Sequence, residues 1–373
     1  MPASDDFVAP AYGSASLADV VPAVAIALGA TEALSAPGLE LPPAPAYVVF
    51  LVDGMGHELL ARHREEAPFL STLLGDPATC GVPSTTATSL TSLGTGLPPG
   101  AHGVVGYTSR IPGTDRLLNA LAWDKDVDPV EWQPHPTAFQ TLSRAGVRVT
   151  SVSKREFAGS GLTAASQRGA TYVGADRVGE RLAGVVAASA ETPSLTYVYE
   201  GDLDWTGHRY GVDSPQWRAQ LAAIDDSAEQ LRDALPAEVR LLVVADHGMV
   251  DSPEDARIDV AEHPELRDGV HLFGGEARFR QLYCAGGAVA DVVATWREVL
   301  GGRADVLTRE EAIARGWFGD VESPVRPRLG DVIVATRDDF SIMHSEAFPY
   351  EAKLVGLHGS LTSAEMLIPL LVS

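Results

Sequence analysis

Unbroken apolar runs alternate with amphipathic segments along this chain. The runs at 47–52 (YVVFLV) and 239–245 (VRLLVVA) are typical of strands that are buried on both faces of a sheet. Residues 147–153 (VRVTSVS) and 194–200 (SLTYVYE) are also predicted to be strands. The spacing of apolar residues predicts helices over 16–29, 137–145 and 215–235. Because strands alternate with helices, we predict an α/β fold in which a doubly wound, mostly parallel sheet is sandwiched by helices.

The pattern becomes irregular after about residue 251. A predicted helix at 288–300 and a predicted strand at 331–335 lie there among Gly- and Pro-rich turns. We therefore expect a single domain over residues 1–373, with a smaller cap-like insertion at approximately 255–345. Residues 1–15 show no periodic pattern and are expected to be loose.

Composition limits the classes of molecule that the protein is expected to bind. Hydrophobic residues make up 45% of the 373 residues, which is ordinary for a globular protein and argues against disorder. The formal net charge is -22, from 50 acidic and 28 basic residues, so nucleic-acid polymers and anionic membranes would be repelled. A small anionic substrate would need a local positive charge, and a bound metal ion is the obvious source.

Cysteine content and the N-terminal segment predict a cytoplasmic protein. Cys80 and Cys284 are the two cysteines, which indicates neither a disulfide framework nor a cysteine-based zinc site. Unpaired thiols suit a reducing compartment. Residues 1–16 lack the basic region and the apolar core of a signal peptide. No apolar run approaches the length of about 18 residues that a membrane-spanning helix needs, so no membrane span is expected.

Three predicted strands end in carboxylates. Asp53 follows the run at 47–52, a turn with Asp202 and Asp204 follows the run at 194–200, and Asp246 follows the run at 239–245. Ligands of parallel sheets bind beyond the carboxyl ends of the strands. We therefore expect these acidic groups to converge on one site.

Histidines near two of these carboxylates complete a set of candidate metal ligands. His208 follows Asp204 by four residues, and Gly207 is expected to give the backbone the freedom to turn both side chains inward. The full set comprises three carboxylates and three imidazoles: Asp53, Asp204, His208, Asp246, His247 and His358. Such ligands suit Zn²⁺, with Mn²⁺ or Fe as alternatives, and this number can serve two divalent ions.

A hydroxyl-rich stretch at 82–103 (VPSTTATSLTSLGTGLPPGAHG) supplies a candidate nucleophile. Pro83 can start a helix, which would place the hydroxyls of residues 84–86 at a helix N-terminus that favours an anion. An ordinary N-cap is the structural alternative. Two divalent ions about 3.5–4 Å apart can clamp the attacking and leaving oxygens of a phosphoryl transfer. A threonine hydroxyl that binds a metal ion also loses its proton readily.

These motifs, taken together and in order, resemble the alkaline phosphatase superfamily, in particular its nucleotide pyrophosphatase/phosphodiesterase branch. The resemblance runs through VDGMG (52–56), TGLPPGAHG (95–103), DWTGHRYG (204–211), ADHGM (245–249) and GLHG (356–359). It implies an alkaline-phosphatase-like fold and two bound metal ions. It also implies how the ligands are shared: Asp204, His208 and His358 match those of the first metal, and Asp53, Asp246 and His247 match those of the second.

The resemblance also implies the nucleophile. Thr86 matches the family's nucleophilic residue, which would extend toward the second metal as a further ligand. Thr85 is the second choice and Thr88 the third. Ser89 stands where the diesterase branch usually has an asparagine that helps to bind a phosphoryl oxygen. This departure leaves the substrate open.

The predicted function is that of a two-metal phosphoryl-transfer hydrolase, which cleaves phosphodiester or pyrophosphate bonds through a phosphothreonine intermediate. Phosphomonoester and phosphonate hydrolysis on the same site are alternatives. A further alternative is a metal-dependent protein that binds a phosphorylated ligand without turnover. The expected partner is a small phosphorylated substrate, with nucleotides among the candidates. The sequence leaves the oligomeric state open.

Overall fold

The computed structural model describes residues 7–35 and 37–373. The loose segment expected at 1–15 lies partly outside this range, because residues 1–6 are not among those described. Residues 7–15 contain turns and no helix or strand.

The described residues form eighteen strands and fourteen α-helices, numbered in chain order. The strands are β1 (Ala46–Val52), β2 (Ala78–Thr79), β3 (Thr108–Arg110), β4 (Leu117–Asn119), β5 (Arg148–Ser153), β6 (Thr171–Gly174), β7 (Ser194–Glu200), β8 (Val239–Val244), β9 (Val250–Asp251), β10 (Arg257–Asp259), β11 (Val270–Glu276), β12 (Phe279–Cys284), β13 (Ala304–Thr308), β14 (Val332–Thr336), β15 (Ser341–Met343), β16 (Gly356–Leu357), β17 (Leu367–Ile368) and β18 (Leu370–Val372). The helices are α1 (Leu17–Ala27), α2 (His57–Arg62), α3 (Pro68–Thr72), α4 (Thr86–Thr95), α5 (Pro99–His102), α6 (Pro129–Trp132), α7 (Ala138–Arg144), α8 (Gly161–Ser166), α9 (Val178–Ser189), α10 (Asp202–Tyr210), α11 (Pro215–Ala234), α12 (Val289–Leu300), α13 (Arg309–Ala314) and α14 (Ser363–Met366).

A six-stranded sheet with the order β18-β8-β1-β7-β5-β6 forms the centre of the molecule. Five of its strands run parallel, and the edge strand β18 is antiparallel to its neighbour β8. Every residue of the central strand β1 is buried, as its unbroken apolar run predicts. The α/β fold with a mostly parallel sheet is therefore confirmed.

Helix α11 shows how the amphipathic pattern forms one covering layer. Pro215 lies in its first turn, and the Ser214 hydroxyl accepts a hydrogen bond from the Trp217 N–H, which caps the helix start. Its apolar face recurs every three or four residues and is buried: Trp217, Leu221, Ile224, Ala228 and Leu231. The helix ends one residue before the predicted boundary at residue 235.

A second, antiparallel sheet has the order β11-β12-β14-β13 and lies within residues 270–336. Helix α12 contributes Val292 and Trp296 to a separate apolar cluster with these strands. The Arg278 guanidinium, just before β12, donates two hydrogen bonds to the Glu365 carboxylate over 2.7 and 2.8 Å, which ties this sheet to α14. The single-domain organisation and the cap-like insertion at 255–345 stay predictions.

Two further observations concern membrane-spanning helices and the cysteines. Among the described helices, none combines the length and the apolar character that a membrane crossing requires. Cys80 and Cys284 are both free and buried. The cytoplasmic location stays a prediction.

Candidate active site

The carboxyl ends of β1 and β8 bring two aspartates together. Asp53 directly follows β1, and Asp246 lies two residues beyond β8. The Gly54 N–H donates to Asp246 Oδ1 over 3.0 Å, in a turn that requires a φ of +74° at the glycine. His247 Nε2 lies 3.5 Å from Asp53 Oδ1 and 3.4 Å from Asp246 Oδ2. We call these three buried residues, Asp53, Asp246 and His247, the Asp53 cluster.

Asp204, His208 and His358 form a second group, the Asp204 cluster. Helix α10 begins where the sequence predicts an acidic turn, and one helical turn places His208 Nε2 3.3 Å from Asp204 Oδ2. His358 Nε2 lies 3.2 Å from His208 Nε2. The role expected for Gly207 is wrong, because this residue is helical. A Cβ at this position would lie 2.5 Å from the Met249 sulfur, so a larger residue would require the methionine side chain to move.

Backbone carbonyls orient all three imidazoles. Each Nδ1 has one such partner: Gly356 O at 2.7 Å for His208, Gly248 O at 2.9 Å for His247 and Ser84 O at 2.9 Å for His358. Since a carbonyl can only accept, each Nδ1 is assigned the proton, and each Nε2 keeps its lone pair for a ligand.

The acidic oxygens of the two clusters fit divalent cations. Three of them are buried without a hydrogen-bond partner among the described residues: Asp53 Oδ1, Asp204 Oδ1 and Asp246 Oδ2.

Burial, together with the charge of Asp204, raises the pKa of Asp246 to about 7. Burial and the two neighbouring carboxylates also raise the pKa of Asp53 well above its usual range. Burial and two nearby imidazoles hold the pKa of His358 well below its usual value. Within each cluster, the ligand atoms lie within 4.8 Å of one another.

Helix α4 places the Thr86 hydroxyl beside the Asp53 cluster. Thr85 is the N-cap residue in an extended conformation, and Thr86 is the first helical residue. Thr86 Oγ1 lies 3.4 Å from Asp53 Oδ2 and 3.3 Å from His247 Nε2. The Thr88 hydroxyl is buried, without a partner among the described residues. Thr86 and the six candidate ligands therefore lie together at the strand ends, and their roles in binding and catalysis stay predictions.

Tyr199 contacts the site but is not among the predicted residues. Its hydroxyl donates a hydrogen bond to Asp53 Oδ2, and burial and the charge of Asp53 raise the pKa of Tyr199 well above its usual value. Tyr199 pairs with Leu51, two residues before Asp53, because β7 lies next to β1. The only signal in the sequence for this contact is that a tyrosine lies near the end of a predicted buried strand. The sequence does not say which strands are neighbours.

Two cavities meet at Thr86. The first, which we call the Phe157 cavity, has a volume of about 210 Å³ and mainly apolar and hydroxyl-bearing walls that include Phe157 and Leu162. The second has a volume of about 190 Å³ and lies on the side of the Asp204 cluster. Thr86, Leu121 and Asp204 line both cavities. A group bound at Thr86 could therefore extend in two directions.

Glu276, at the end of β11, lines the second cavity, which we call the Glu276 cavity. Its Oε2 lies 3.6 Å from His358 Nδ1, and its Oε1 is buried without a partner among the described residues. Burial, followed by the charge of Glu351, raises the pKa of Glu276 well above its usual range. Sequence reasoning missed Glu276, because only the packing of the second sheet on the central site brings it there.

Two other features belong to neither cluster. Ser89 is buried within α4 and lines neither the Phe157 cavity nor the Glu276 cavity. Its hydroxyl has no partner among the described residues. A larger cavity of about 620 Å³ is lined by residues that include Asp19, Thr95 and Asp320, and none of its lining residues is a candidate ligand.

The fold and the site define an α/β protein with two carboxylate–imidazole clusters and a threonine at the carboxyl ends of parallel strands. Residues 47–361 match the type I phosphodiesterase / nucleotide pyrophosphatase family. The chain belongs to this family, whose members are hydrolases. The predicted resemblance is therefore confirmed.

Several known proteins are similar to this chain. Murine ectonucleotide pyrophosphatase/phosphodiesterase 5 has a TM-score of 0.69 at 18% identity, with 87% of each chain covered. An inactive variant of the murine protein in complex with AMP gives a TM-score of 0.68 at 18% identity, over 88% of this chain and 87% of that one. The human protein gives 0.66 at 19% identity, over 87% of each chain.

A sequence relative matches over a shorter stretch. Human ectonucleotide pyrophosphatase/phosphodiesterase family member 7 is 36% identical over 64 residues, which is 16% of this chain and 14% of that protein. The match thus spans a small part of that relative's length.

Proposed function

We propose that this protein is a phosphodiesterase in which Thr86 is the nucleophile and two divalent cations bind at the Asp53 and Asp204 clusters. The observation that carries this proposal is the place of the Thr86 hydroxyl, beside the Asp53 cluster and at the junction of two cavities. A phosphoryl group held there would extend one substituent into each cavity. A diester has two substituents to place, and a monoester has one.

The reaction would proceed in two displacements. In the first, Thr86 Oγ1 forms a bond to phosphorus, the bond from phosphorus to the leaving alcohol breaks, and the alcohol departs with the proton that Thr86 has lost. In the second, water forms a bond to phosphorus, and the bond to Thr86 breaks, which restores the hydroxyl. Bound divalent cations would supply the charge that lowers the pKa of the Thr86 hydroxyl and offsets the phosphoryl oxygens.

Charge supports the requirement for cations. The residues that line the Phe157 and Glu276 cavities include no lysine or arginine. The three imidazoles keep neutral Nε2 atoms for coordination, since their Nδ1 atoms donate to carbonyls. A phosphate at this site would therefore meet three aspartates without a balancing side chain. The imidazole and carboxylate donors favour Zn²⁺, with Mn²⁺ or Fe as alternatives.

We propose a small nucleotide as the substrate class, because one structurally similar protein is seen in complex with AMP. The murine protein with AMP is an inactive variant in which one threonine is replaced by alanine. By analogy, we assign Thr86 the role of that threonine, and a nucleoside 5′-phosphate the role of one half of the diester. The apolar and aromatic walls of the Phe157 cavity suit a nucleoside.

The test compares bis-p-nitrophenyl phosphate with p-nitrophenyl phosphate in the metal-replete protein. We expect faster diester cleavage, its loss on chelation, and its loss in Thr86→Ala. Thr91→Ala is the matched control, since the Thr91 hydroxyl is buried in the same helix and bonded to Ala87 O. Thr85→Ala tests the second candidate nucleophile.

Each other result has a defined meaning. Loss of turnover in Thr85→Ala but not in Thr86→Ala would move the nucleophile by one residue. Faster monoester cleavage with the same metal dependence would make the protein a phosphomonoesterase. If two cations bind and neither ester is cleaved, a phosphonate ester assayed in parallel separates phosphonate hydrolysis from binding without turnover.

A further inference from the structure

The Glu276 cavity carries an acidic group that the candidate metal clusters do not use. Glu276 and Glu351 both line the cavity, and no lysine or arginine is among its lining residues. Glu351 is paired with the buried Arg280 behind it, so its charge is balanced. Glu276 has no lysine or arginine partner among the described residues, and the nearby His358 Nδ1, 3.6 Å from its Oε2, donates to Ser84 O. Glu276 is only 8% exposed, and its Oε1 is unpaired among the described residues.

The position of this carboxyl group is fixed by close packing. Gly359, next to the candidate ligand His358, has a φ of +128°, and a Cβ there would lie 2.8 Å from Glu276 Cγ. The glycine thus allows β11 to approach the ligand loop closely enough for Glu276 to reach the cavity. Close packing therefore makes Glu276 a fixed part of the wall of this cavity.

The Glu276 carboxyl group disfavours a phosphate in this cavity, whether the carboxyl is ionised or protonated. When ionised, it repels the phosphate. When protonated, it offers a single O–H donor, although phosphate oxygens are best held by several charged or N–H donors. An uncharged substituent meets no repulsion, and its hydroxyl groups can donate to the unpaired Oε1. Tyr107, Tyr350 and Leu357 supply further aromatic and apolar wall.

We propose that the Glu276 cavity is a subsite for an uncharged alcohol substituent of the diester, and that Glu276 excludes a second phosphate from it. This inference rests on the proposed phosphodiesterase function and narrows it. In a family named for both phosphodiesterases and nucleotide pyrophosphatases, this chain would favour diesters of uncharged alcohols over pyrophosphates.

The test uses two substrates that share one half. The p-nitrophenyl ester of AMP has an uncharged second substituent, and diadenosine 5′,5′-diphosphate has a second phosphate in the same place. Release of AMP gives kcat/KM for both with the metal-loaded wild type, Glu276→Gln and Glu298→Gln. Glu298 is an exposed carboxylate on α12, so its variant controls for the change in net charge.

We expect the wild type and Glu298→Gln to prefer the ester. Glu276→Gln should raise kcat/KM for the diphosphate relative to the ester by about tenfold, which corresponds to 1.4 kcal/mol. The variant removes the like-charge repulsion of an ionised carboxylate, and it replaces the single O–H donor of a protonated carboxyl with two amide N–H donors for the phosphate oxygens. An unchanged ratio in Glu276→Gln overturns the inference and leaves the phosphodiesterase function intact. A wild-type preference for the diphosphate overturns it as well, even if Glu276→Gln fails to fold. Absence of metal-dependent cleavage of either substrate by the wild type overturns the proposed function itself.

Discussion

The imidazole rings of His247 and His358 stack on each other, with their centroids 3.8 Å apart and their planes at 21°. His247 belongs to the Asp53 cluster and His358 to the Asp204 cluster, so this stack places the two clusters side by side. Two protonated rings would repel each other at this distance. The stack therefore disfavours protonation of both rings together, in keeping with the lowered pKa of His358.

Cation binding should weaken as the pH falls. Burial raises the pKa of Asp246 to about 7, so below that pH its carboxyl group holds a proton that a cation has to displace. His358 adds no such proton near neutrality, because its pKa is lowered. Calorimetric titration with Zn²⁺ should show tighter binding at about pH 8 than at about pH 6, with proton release that grows as the pH falls. An affinity that is the same at both pH values would contradict this prediction.

Tyr199→Phe should weaken cation binding at the Asp53 cluster. The variant removes the hydrogen bond from the Tyr199 hydroxyl to Asp53 Oδ2, and the loss of such a bond to a ligating group typically costs about 10–100-fold in metal affinity. Tyr197→Phe is the matched control on the same strand, since the buried Tyr197 hydroxyl has no partner among the described residues. Competition with a chelator measures the cation affinity of both variants. Equal losses in the two variants would mean that the Tyr199 hydroxyl does not act through Asp53.

Arg278→Met should destabilise the fold strongly. Both Arg278 and Glu365 are buried, and the variant leaves the Glu365 carboxylate without its cation. Breaking one side of a buried pair typically costs about 3–5 kcal/mol in the free energy of unfolding, which urea denaturation measures. The double variant with Glu365→Leu should lose less than the sum of the single losses, because no lone charge remains. Additive losses would show that the two groups do not interact.

Gly94→Ala should disturb the helix that carries Thr86. A Cβ at Gly94 would lie 1.8 Å from the carbonyl oxygen of Ser166, so α4 and α8 would have to separate. Overpacking of this kind costs about 1–3 kcal/mol in the free energy of unfolding, and the shift of α4 should also lower kcat. Gly179→Ala in α9 is the control, because nothing lies within 4 Å of its added Cβ. It should be neutral or stabilising by about 0.5–1 kcal/mol. If Gly94→Ala has the same melting temperature as the wild type, the prediction is contradicted.

Local sequence predicted four of the six strands of the central sheet, β1, β5, β7 and β8, but not the edge strands β6 and β18. The run predicted at 194–200 is β7 without change, and the run at 47–52 lacks only the first residue of β1. Mostly apolar runs indicate such strands because both faces of a central strand are covered. The carboxylates Asp53 and Asp246 follow two of these strands, and ligands of parallel sheets bind beyond such carboxyl ends.

The sequence by itself therefore determined the α/β class, the family, and the seven residues that lie together: Asp53, Thr86, Asp204, His208, Asp246, His247 and His358. Tertiary structure alone decided that β7 lies beside β1, which brings Tyr199 to Asp53, and that the second sheet carries Glu276 to the wall of a cavity. These contacts join residues far apart in the chain. Short-range periodicity holds no information about them, because they depend on which strands pair and how layers pack.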